Sequence, residues 1–304
     1  MKISVIIACY NEEAALPLLF SALKSALLPL TAASAHTFEL LFIDDGSTDS
    51  TLAYIQSLPQ NDFTVKYISF TRNFGKEAAI LAGLRAFHGD AVCIMDADLQ
   101  DPPHLIADML AYIERGYEVV AARRIGRGGE PMYRHICSKL FCRIINRVAA
   151  DIRLQDGERD YRMMRAEVAR EIAGMPERSR FTKGLFSYAH YHTKTLEYRS
   201  EPRVRTHSKW TFFKLIRYAA GAVMNFSDFP LRLIALLSTL SIITALLCLF
   251  QNAMTMFAIF LSSGLILCSV GMVGAYILRI YHEVRNRPLY ILRAANVEEG
   301  DDKA

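Results

Sequence analysis

Three short clusters of oxygen-bearing side chains carry the chemistry legible in this chain: Tyr10-Asn11-Glu12, Asp44-Asp45-Gly46-Ser47 and Asp96-Ala97-Asp98-Leu99-Gln100. Each follows a short apolar run. In the third, the Asp-x-Asp spacing puts Asp96 and Asp98 on one side of an extended segment, and Gln100 continues that face with a neutral oxygen. Oxygen donors without a nearby cysteine suit a hard divalent cation, Mg2+ or Mn2+, that keeps positions open for phosphate oxygens. A bare Asp-x-Asp is also a common turn. Its place after Ala91–Met95 and before Pro102-Pro103 favours metal–diphosphate binding. One Asp-Asp-Gly-Ser alone reads as a turn with a helix cap, but three acidic clusters do not read as a mere solvated rim.

Short apolar runs alternate with helical patterns in the half of the chain that holds these clusters. Ile3–Ala8, Phe38–Ile43, Val65–Phe70, Ala91–Met95 and Glu118–Ala122 are predicted strands. Glu13–Leu27, Ser50–Ser57, Lys76–Phe87 and Pro103–Arg115 are predicted helices. That alternation implies an α/β domain with a mostly parallel sheet covered on both faces, and ligands then bind beyond the carboxyl ends of the strands. There is no Gly-x-Gly-x-x-Gly after the first strand and no Gly-Lys-Ser phosphate loop, which disfavours dinucleotide dehydrogenases and P-loop enzymes. His190 and His192 lack a third ligand and read as ordinary strand or turn residues.

Composition narrows the class. A net charge of +4 over 304 residues argues against a nucleic-acid partner. The six cysteines show no zinc-type spacing, and five lie in apolar or helical contexts, so buried, reduced thiols and a cytosolic soluble part are expected. The N-terminal apolar run is too short for a signal-peptide core. From Leu233 to Leu278, 46 residues pass without Asp, Glu, Lys or Arg, room for two membrane helices at about 20 residues each. The turn falls at residues 251–255. Lys209, Lys214, Arg217 and Arg232 precede the pair and Arg279, Arg285, Arg287 and Arg293 follow it, so both flanks are expected on the cytoplasmic side. The alternative, a buried helical hairpin of a soluble core, rarely runs this long without charge. Phe212, Leu215, Ile216 and Ala219 lie opposite Lys209, Lys214 and Arg217, as in a helix lying in a membrane surface. Gly264, Gly271 and Gly274 would let a second copy pack closely as a homo-oligomer.

The motifs together resemble the inverting family-2 glycosyltransferases of GT-A fold, and within them the polyprenyl-phosphate glycosyltransferases, which include bactoprenol glucosyltransferases and dolichol-phosphate mannose synthases. The carriers are YNEE (10–13), FIDDGSTDST (42–51), SFTRNFGKEAAILAGL (69–84), DADLQDPP (96–103), ERDYRMM (158–164), PERSRFTKG (176–184) and SKW (208–210). They span most of the first 230 residues, and the two-helix tail matches too. FTRNFGKE is especially close to the bactoprenol glucosyltransferases. The sequence departs from the family at Ala8 or Cys9, where a proline is usual, around Thr206, where a glycine is usual, and in a shorter turn between the membrane helices.

The resemblance implies a membrane-anchored enzyme moving a hexose, glucose first, from a nucleotide diphosphate sugar such as UDP-glucose to undecaprenyl phosphate at the cytoplasmic leaflet of a bacterial plasma membrane. Mannose, N-acetylglucosamine or a modified arabinose are alternatives. It implies a nucleotide-sugar site at Ala8, Tyr10, Glu12, Asp44, Asp45, Lys76, Asp96, Ala97 and Asp98, and metal held by Asp98 with Gln100 assisting and Asp96 nearer the sugar or ribose. Lys76 can neutralise the nucleotide, although a solvent-exposed first-turn lysine is the reading its position favours. Asp160 is placed near the reaction centre with Arg162; a purely structural Asp160–Arg162 pair is the alternative. Arg123, Arg134 and Ser138 match the acceptor-phosphate residues within the basic run Arg123–Arg147, joined by Arg203 and Lys209; a generic basic face near anionic lipid is the other reading of that run. The polyprenyl phosphate arrives as an anion and needs clamping more than deprotonation.

The implied domains are a cytoplasmic transferase domain (1–207), an interfacial helix (208–228), two transmembrane helices (229–279) and a cytoplasmic tail (280–304). A non-catalytic scaffold is a rival that the retained acidic and basic residues disfavour. A transporter subunit is another, and two uncharged helices offer it no polar pathway.

Overall fold

The computed structural model describes residues 1–33, 36–125, 156–177, 180–199 and 255–297, with short pieces between 142 and 153 and between 233 and 243. Arg127, Arg134, Ser138, Lys139, Arg203, Ser208 and Lys209, the proposed interfacial helix and residues 251–254 of the expected turn at 251–255 lie outside the described residues, and Thr255 begins a helix.

Eight strands form one sheet in the order β7-β5-β6-β4-β1-β2-β3-β8. The strands are β1 (Lys2–Cys9), β2 (Thr37–Asp44), β3 (Thr64–Phe70), β4 (Ala91–Asp96), β5 (Val119–Arg124), β6 (Glu158–Arg165), β7 (Thr193–Tyr198) and β8 (Leu292–Ala295). The five strands expected from the sequence are all present. β1 and β2 are buried on both faces along almost their whole length, which is why they read as unbroken apolar runs. The sheet is mostly parallel, as expected: β1 pairs parallel with β2 and β4, β2 with β3, and β5 with β7, while β6 runs antiparallel between β4 and β5, and β8 antiparallel beside β3. The sheet is mixed.

Helices α1 (Leu16–Ala33), α2 (Thr51–Gln56) and α4 (Leu105–Glu114) cover one face, with Leu16, Leu19, Leu23, Leu27, Ile106 and Met109 in its core. Helix α3 (Lys76–Ala86), α5 (Ala166–Gly174) and α6 (Thr182–Tyr188) cover the other around Ile80, Leu81, Leu84, Ile172 and Phe186. α1 begins three residues later than expected, after a turn at 13–15 in which Glu13 accepts the Ser50 N–H (3.0 Å), and it continues through Pro29 to Ala33. The missing N–H of Pro29 does not end the helix, whose buried stripe continues to Leu27.

Beyond β7 the described residues hold one helix long and apolar enough to cross a membrane, within α7 (Thr255–Val284). Its apolar stretch Phe257–Leu278 has 22 residues, none buried inside the protein. At 1.5 Å per residue this is about 33 Å, against a hydrocarbon thickness of about 30 Å. Residues described between 233 and 243 are helical and expose Leu236, Leu240 and Ile243. Of the cysteines described, Cys9 and Cys93 are buried as expected, whereas Cys142 is half-buried and Cys268 is exposed on α7.

Gly46, between β2 and α2, has φ +66, and a Cβ there would lie 2.3 Å from the carbonyl carbon of Arg72. Both backbone hand and space demand glycine. Gly46→Ala is expected to cost more than the roughly 1–2 kcal/mol of a left-handed alanine in a denaturant melt, whereas Gly174→Ala, with nothing within 4 Å of its Cβ, is expected not to lower stability.

Candidate active site

The carboxyl ends of β1 to β5 and the first residues of β6 meet on one edge of the sheet. β4 and β6 are paired from Ala91↔Arg165 to Ile94↔Arg162. Two residues further, that register sets Asp96 opposite Asp160, and directly opposed like charges destabilise a sheet. Lys76 resolves the conflict. Its Nζ lies 2.6 Å from Asp96 Oδ1, 2.9 Å from Asp96 Oδ2 and 2.6 Å from Asp160 Oδ2. Lys76 is the exposed first-turn lysine its position suggests, with 39% of its side chain accessible, but it is also held between two carboxylates. As the first residue of α3, a lysine opposes the helix dipole, and the two carboxylates outweigh that cost.

The ionisation of the three groups follows. Desolvation opposes the Lys76 charge, but the attraction of Asp160 and then Asp96, with hydrogen bonds to both, holds its ammonium well above the usual lysine range. Burial likewise works against charge on Asp160, and Lys76, followed by Lys183 and Arg162, drives its carboxyl far below the usual range. A direct Asp160–Arg162 pair is not what forms. Arg162 is 1% exposed, donates from Nη2 to Glu158 Oε1 (3.2 Å) and to the Arg159 carbonyl (2.9 Å), and stacks over Phe186 at 4.0 Å. It acts from beneath the site, through Glu158 and its field at Asp160.

The turn after β4 is built by its own polar groups. Leu99 adopts φ +63, the Gln100 N–H donates to Asp98 Oδ1 (3.1 Å), and the Asp96 N–H donates to Asp101 Oδ2 (3.2 Å). Arg159 Nη2 donates to Gln100 Oε1 (2.8 Å), so the amide oxygen expected to assist a metal is engaged by a cation. Tyr198 Oη donates to Asp101 Oδ1 and Tyr161 Oη to the Pro102 carbonyl, both at 2.8 Å. Burial, then Asp96, raises the Asp101 carboxyl to about 6.

Asp44 and Asp45 are buried. Asp44 accepts from Ser69 Oγ (2.7 Å) and the Ser47 N–H (3.0 Å). Asp45 accepts the N–H groups of Phe74 (2.6 Å) and Gly75 (2.9 Å), fixing the loop that delivers Lys76. The β1 turn is laced to the same loop: Asn11, at φ +54, donates its N–H to Ser47 Oγ (2.9 Å) and accepts the Thr48 N–H (2.8 Å), and the Glu12 N–H donates to Thr51 Oγ1 (2.8 Å). Tyr10 and Glu12 are half-buried there, with Ala8 paired to Asp96 across β1 and β4 and Ala97 buried. On the far side Arg123, one residue before the end of β5, donates from Nε to the Asp156 carbonyl (3.1 Å) and lies 3.5 Å from Glu197. Arg143 and Arg147 are exposed.

Glu77, Thr182, Lys183, Arg159, Asp101 and Tyr198 complete the site and were not singled out from the sequence. Both the N–H and the hydroxyl of Thr182 donate to Glu77, and Lys183 donates to the Glu158 carbonyl (3.1 Å). The motifs YNEE to PERSRFTKG contain most of these residues, but their pairing depends on the antiparallel placement of β6.

For a divalent cation the site supplies oxygen donors from one Asp-x-Asp turn, and no group of three His, Cys, Asp or Glu side chains gathers among the described residues. With Asp96 engaged by Lys76, these donors would suit only a hard cation that takes most of its ligands from phosphate oxygens and water.

The family model for glycosyl transferase family 2 matches residues 4–173. The chain belongs to that family and is a glycosyltransferase with a GT-A-like mixed sheet. An uncharacterized glycosyltransferase of Synechocystis sp. is 35% identical over 306 residues, covering 96% of this chain and 95% of that one. The SfII prophage-derived bactoprenol glucosyl transferase of Shigella flexneri is 34% identical over 312 residues, covering 97% and 99%. Among solved structures, residues 1–349 of S. aureus TarS superpose with a TM-score of 0.47 at 22% identity, over 75% of this chain and 66% of that one.

Burial raises the Asp45 carboxyl to about 6, against the hydrogen bonds from Phe74 and Gly75. The folded protein therefore holds this proton more tightly than the unfolded chain. The resulting stability is complete below about pH 4 and is lost as pH rises through about 6. Asp45→Asn keeps an oxygen for both N–H groups and removes the titration. The wild-type-minus-variant stability difference from denaturant melts is expected to fall between about pH 4 and 6 and to stay level above.

Proposed function

We propose that this chain transfers glucose from UDP-glucose to a bactoprenol-type polyprenyl phosphate, undecaprenyl phosphate, with inversion, at the cytoplasmic face of a bacterial plasma membrane. Relatives named bactoprenol glucosyl transferase support the reading across nearly their full length. So does the unburied, membrane-length apolar stretch in α7. The observation that carries it is the locked ion pair of Asp160 with Lys76. A carboxylate held so far below its usual range is a poor base, which suits an acceptor that is already an anion rather than a hydroxyl that must be deprotonated.

In this reading the nucleotide lies over Tyr10, Glu12 and the Asp44–Asp45 loop, and the diphosphate reaches the Asp-x-Asp turn. Asp98 holds Mg2+ or Mn2+, with Asp96 beside it; Gln100 joins only by exchanging Arg159. When bound, the cation supplies positive charge to the departing diphosphate. Asp160, kept ionised by Lys76, faces the sugar and favours the positive charge that develops at its anomeric carbon. An acceptor phosphate oxygen, positioned by Arg123 and the basic segment that follows with Arg134 and Ser138, and by Arg203 and Lys209, forms the new bond from the face opposite the leaving diphosphate. The nucleoside diphosphate departs with the electrons of the broken bond. The second membrane helix and the interfacial helix are part of the same proposal.

The test is a set of labelled nucleotide sugars offered with undecaprenyl phosphate to the detergent-solubilised protein. Lipid-linked glucose is expected from UDP-glucose, lost on chelation and restored by Mg2+ or Mn2+. Transfer only to a hydroxyl acceptor would overturn the acceptor assignment. Asp98→Asn is expected to abolish the metal-dependent turnover while melting like wild type; full activity across a metal titration would contradict its role. Asp160→Asn is expected to retain measurable transfer, with a pH profile still set by the acceptor phosphate, whose second ionisation lies near pH 6 (about the value of phosphate monoesters). A dead variant that binds both substrates normally and is rescued by a hydroxide-rich buffer would make Asp160 the base.

A further inference from the structure

The strand after the membrane-length helix returns to the catalytic sheet. β8 pairs antiparallel with β3, Ile68↔Ala295 and Ser69↔Ala294, with a register shift at Ser69/Phe70 before Phe70↔Leu292. Its two ends do different things. At one end Asn296 clamps Tyr67, accepting its N–H (2.6 Å) and donating its own N–H to the Tyr67 carbonyl (3.2 Å). At the other, the Thr71 N–H donates to the Ile291 carbonyl (3.0 Å), and Tyr290 stacks on Phe70 with centroids 4.9 Å apart and planes at 13°.

Phe70 in turn meets Phe74 edge-on at 5.8 Å, and Arg72 lies over the Phe74 ring at 4.2 Å. Phe74 and Gly75 give their N–H groups to Asp45, and the next residue is Lys76. A continuous packed path therefore runs from Tyr290, just beyond α7, to the Lys76 ammonium between Asp96 and Asp160. The tail is expected from sequence only as a cytoplasmic extension, and a capped sheet edge alone would need no aromatic at position 290.

We propose that Tyr290 is a positioning residue: by docking on Phe70 it sets the 71–75 loop, and through it Lys76, so that the seating of the membrane helix and the geometry of the donor site are coupled. The inference rests on the donor-site reading above only for its kinetic readout. Its structural readout needs no substrate.

The test uses the full chain in detergent. With Tyr290→Ala, the amides of Phe74 and Gly75 are expected to exchange with solvent on the order of tenfold faster, and the donor KM to rise on the order of tenfold with the acceptor KM unchanged. Tyr290→Phe keeps the ring and is expected to match wild type. Asn296→Ala loosens the same strand pair at its remote end and is expected to lower the melting temperature without moving either readout. If Tyr290→Ala behaves as Asn296→Ala does, the strand is only an edge cap and the proposal falls. Should Tyr290→Ala not fold, Tyr290→Leu, which keeps apolar bulk without a stacking ring, carries the same comparison. Failure of wild type to use any nucleotide sugar would overturn the functional reading and leave the exchange comparison standing.

Discussion

Two aspartates facing each other across an antiparallel pair of strands need a cation between them, and the site is organised around meeting that need. Asp96 ends β4, Asp160 lies in the first residues of β6, and Lys76 bridges both at 2.6 Å. The bridge is partly open to solvent, with 39% of the Lys76 side chain and 17% of Asp160 exposed, so its worth to stability is below that of a buried pair. Its worth to chemistry is larger. In the proposed reaction it keeps a carboxylate ionised beside the sugar and leaves the Asp98 end of the turn for a divalent cation.

Lys76 can do this only if α3 begins at the right point. Two buried carboxylates set that point: Asp45 by holding the Phe74 and Gly75 amides, and Asp44 by tying β3 to the loop through Ser69. The acidic clusters that look like one class of ligand in the sequence thus divide into two kinds. Those at Asp96, Asp98 and Asp160 face the edge of the sheet. Those at Asp44, Asp45 and Asp101 are buried and spend their oxygens on the backbone and on Ser69 and Tyr198, giving the loops a fixed shape before any ligand arrives.

Much of this was legible in the residues. Double-sided burial makes β1, β2 and β4 continuous apolar runs, and the oxygen clusters fall at their ends. The antiparallel sense of β6 was not legible, because the alternation of Tyr161 and Met163 with Asp160 and Arg162 reads the same in either direction. Without that sense, Lys76 has no visible partner and a first-turn lysine looks ordinary, and Arg162 looks like the natural mate of Asp160. β8 was missed because four residues, none of them buried, are too few after a membrane-length helix to show a readable pattern. The family and the enzyme class were visible in the motifs; Arg134, Ser138, Arg203 and Lys209 fall outside the described residues, and their role is carried by resemblance alone.

The most direct measurement is the titration of the Asp160 carboxyl carbon by NMR in the metal-free, substrate-free protein, with Asp160 assigned by its absence in Asp160→Asn. The bridge to Lys76 predicts a carboxylate throughout, with no titration step between about pH 4 and 8, across the unperturbed aspartate value and above. A midpoint within that range would show that the two aspartates share a proton rather than a lysine, and would return Asp160 to the role of a base.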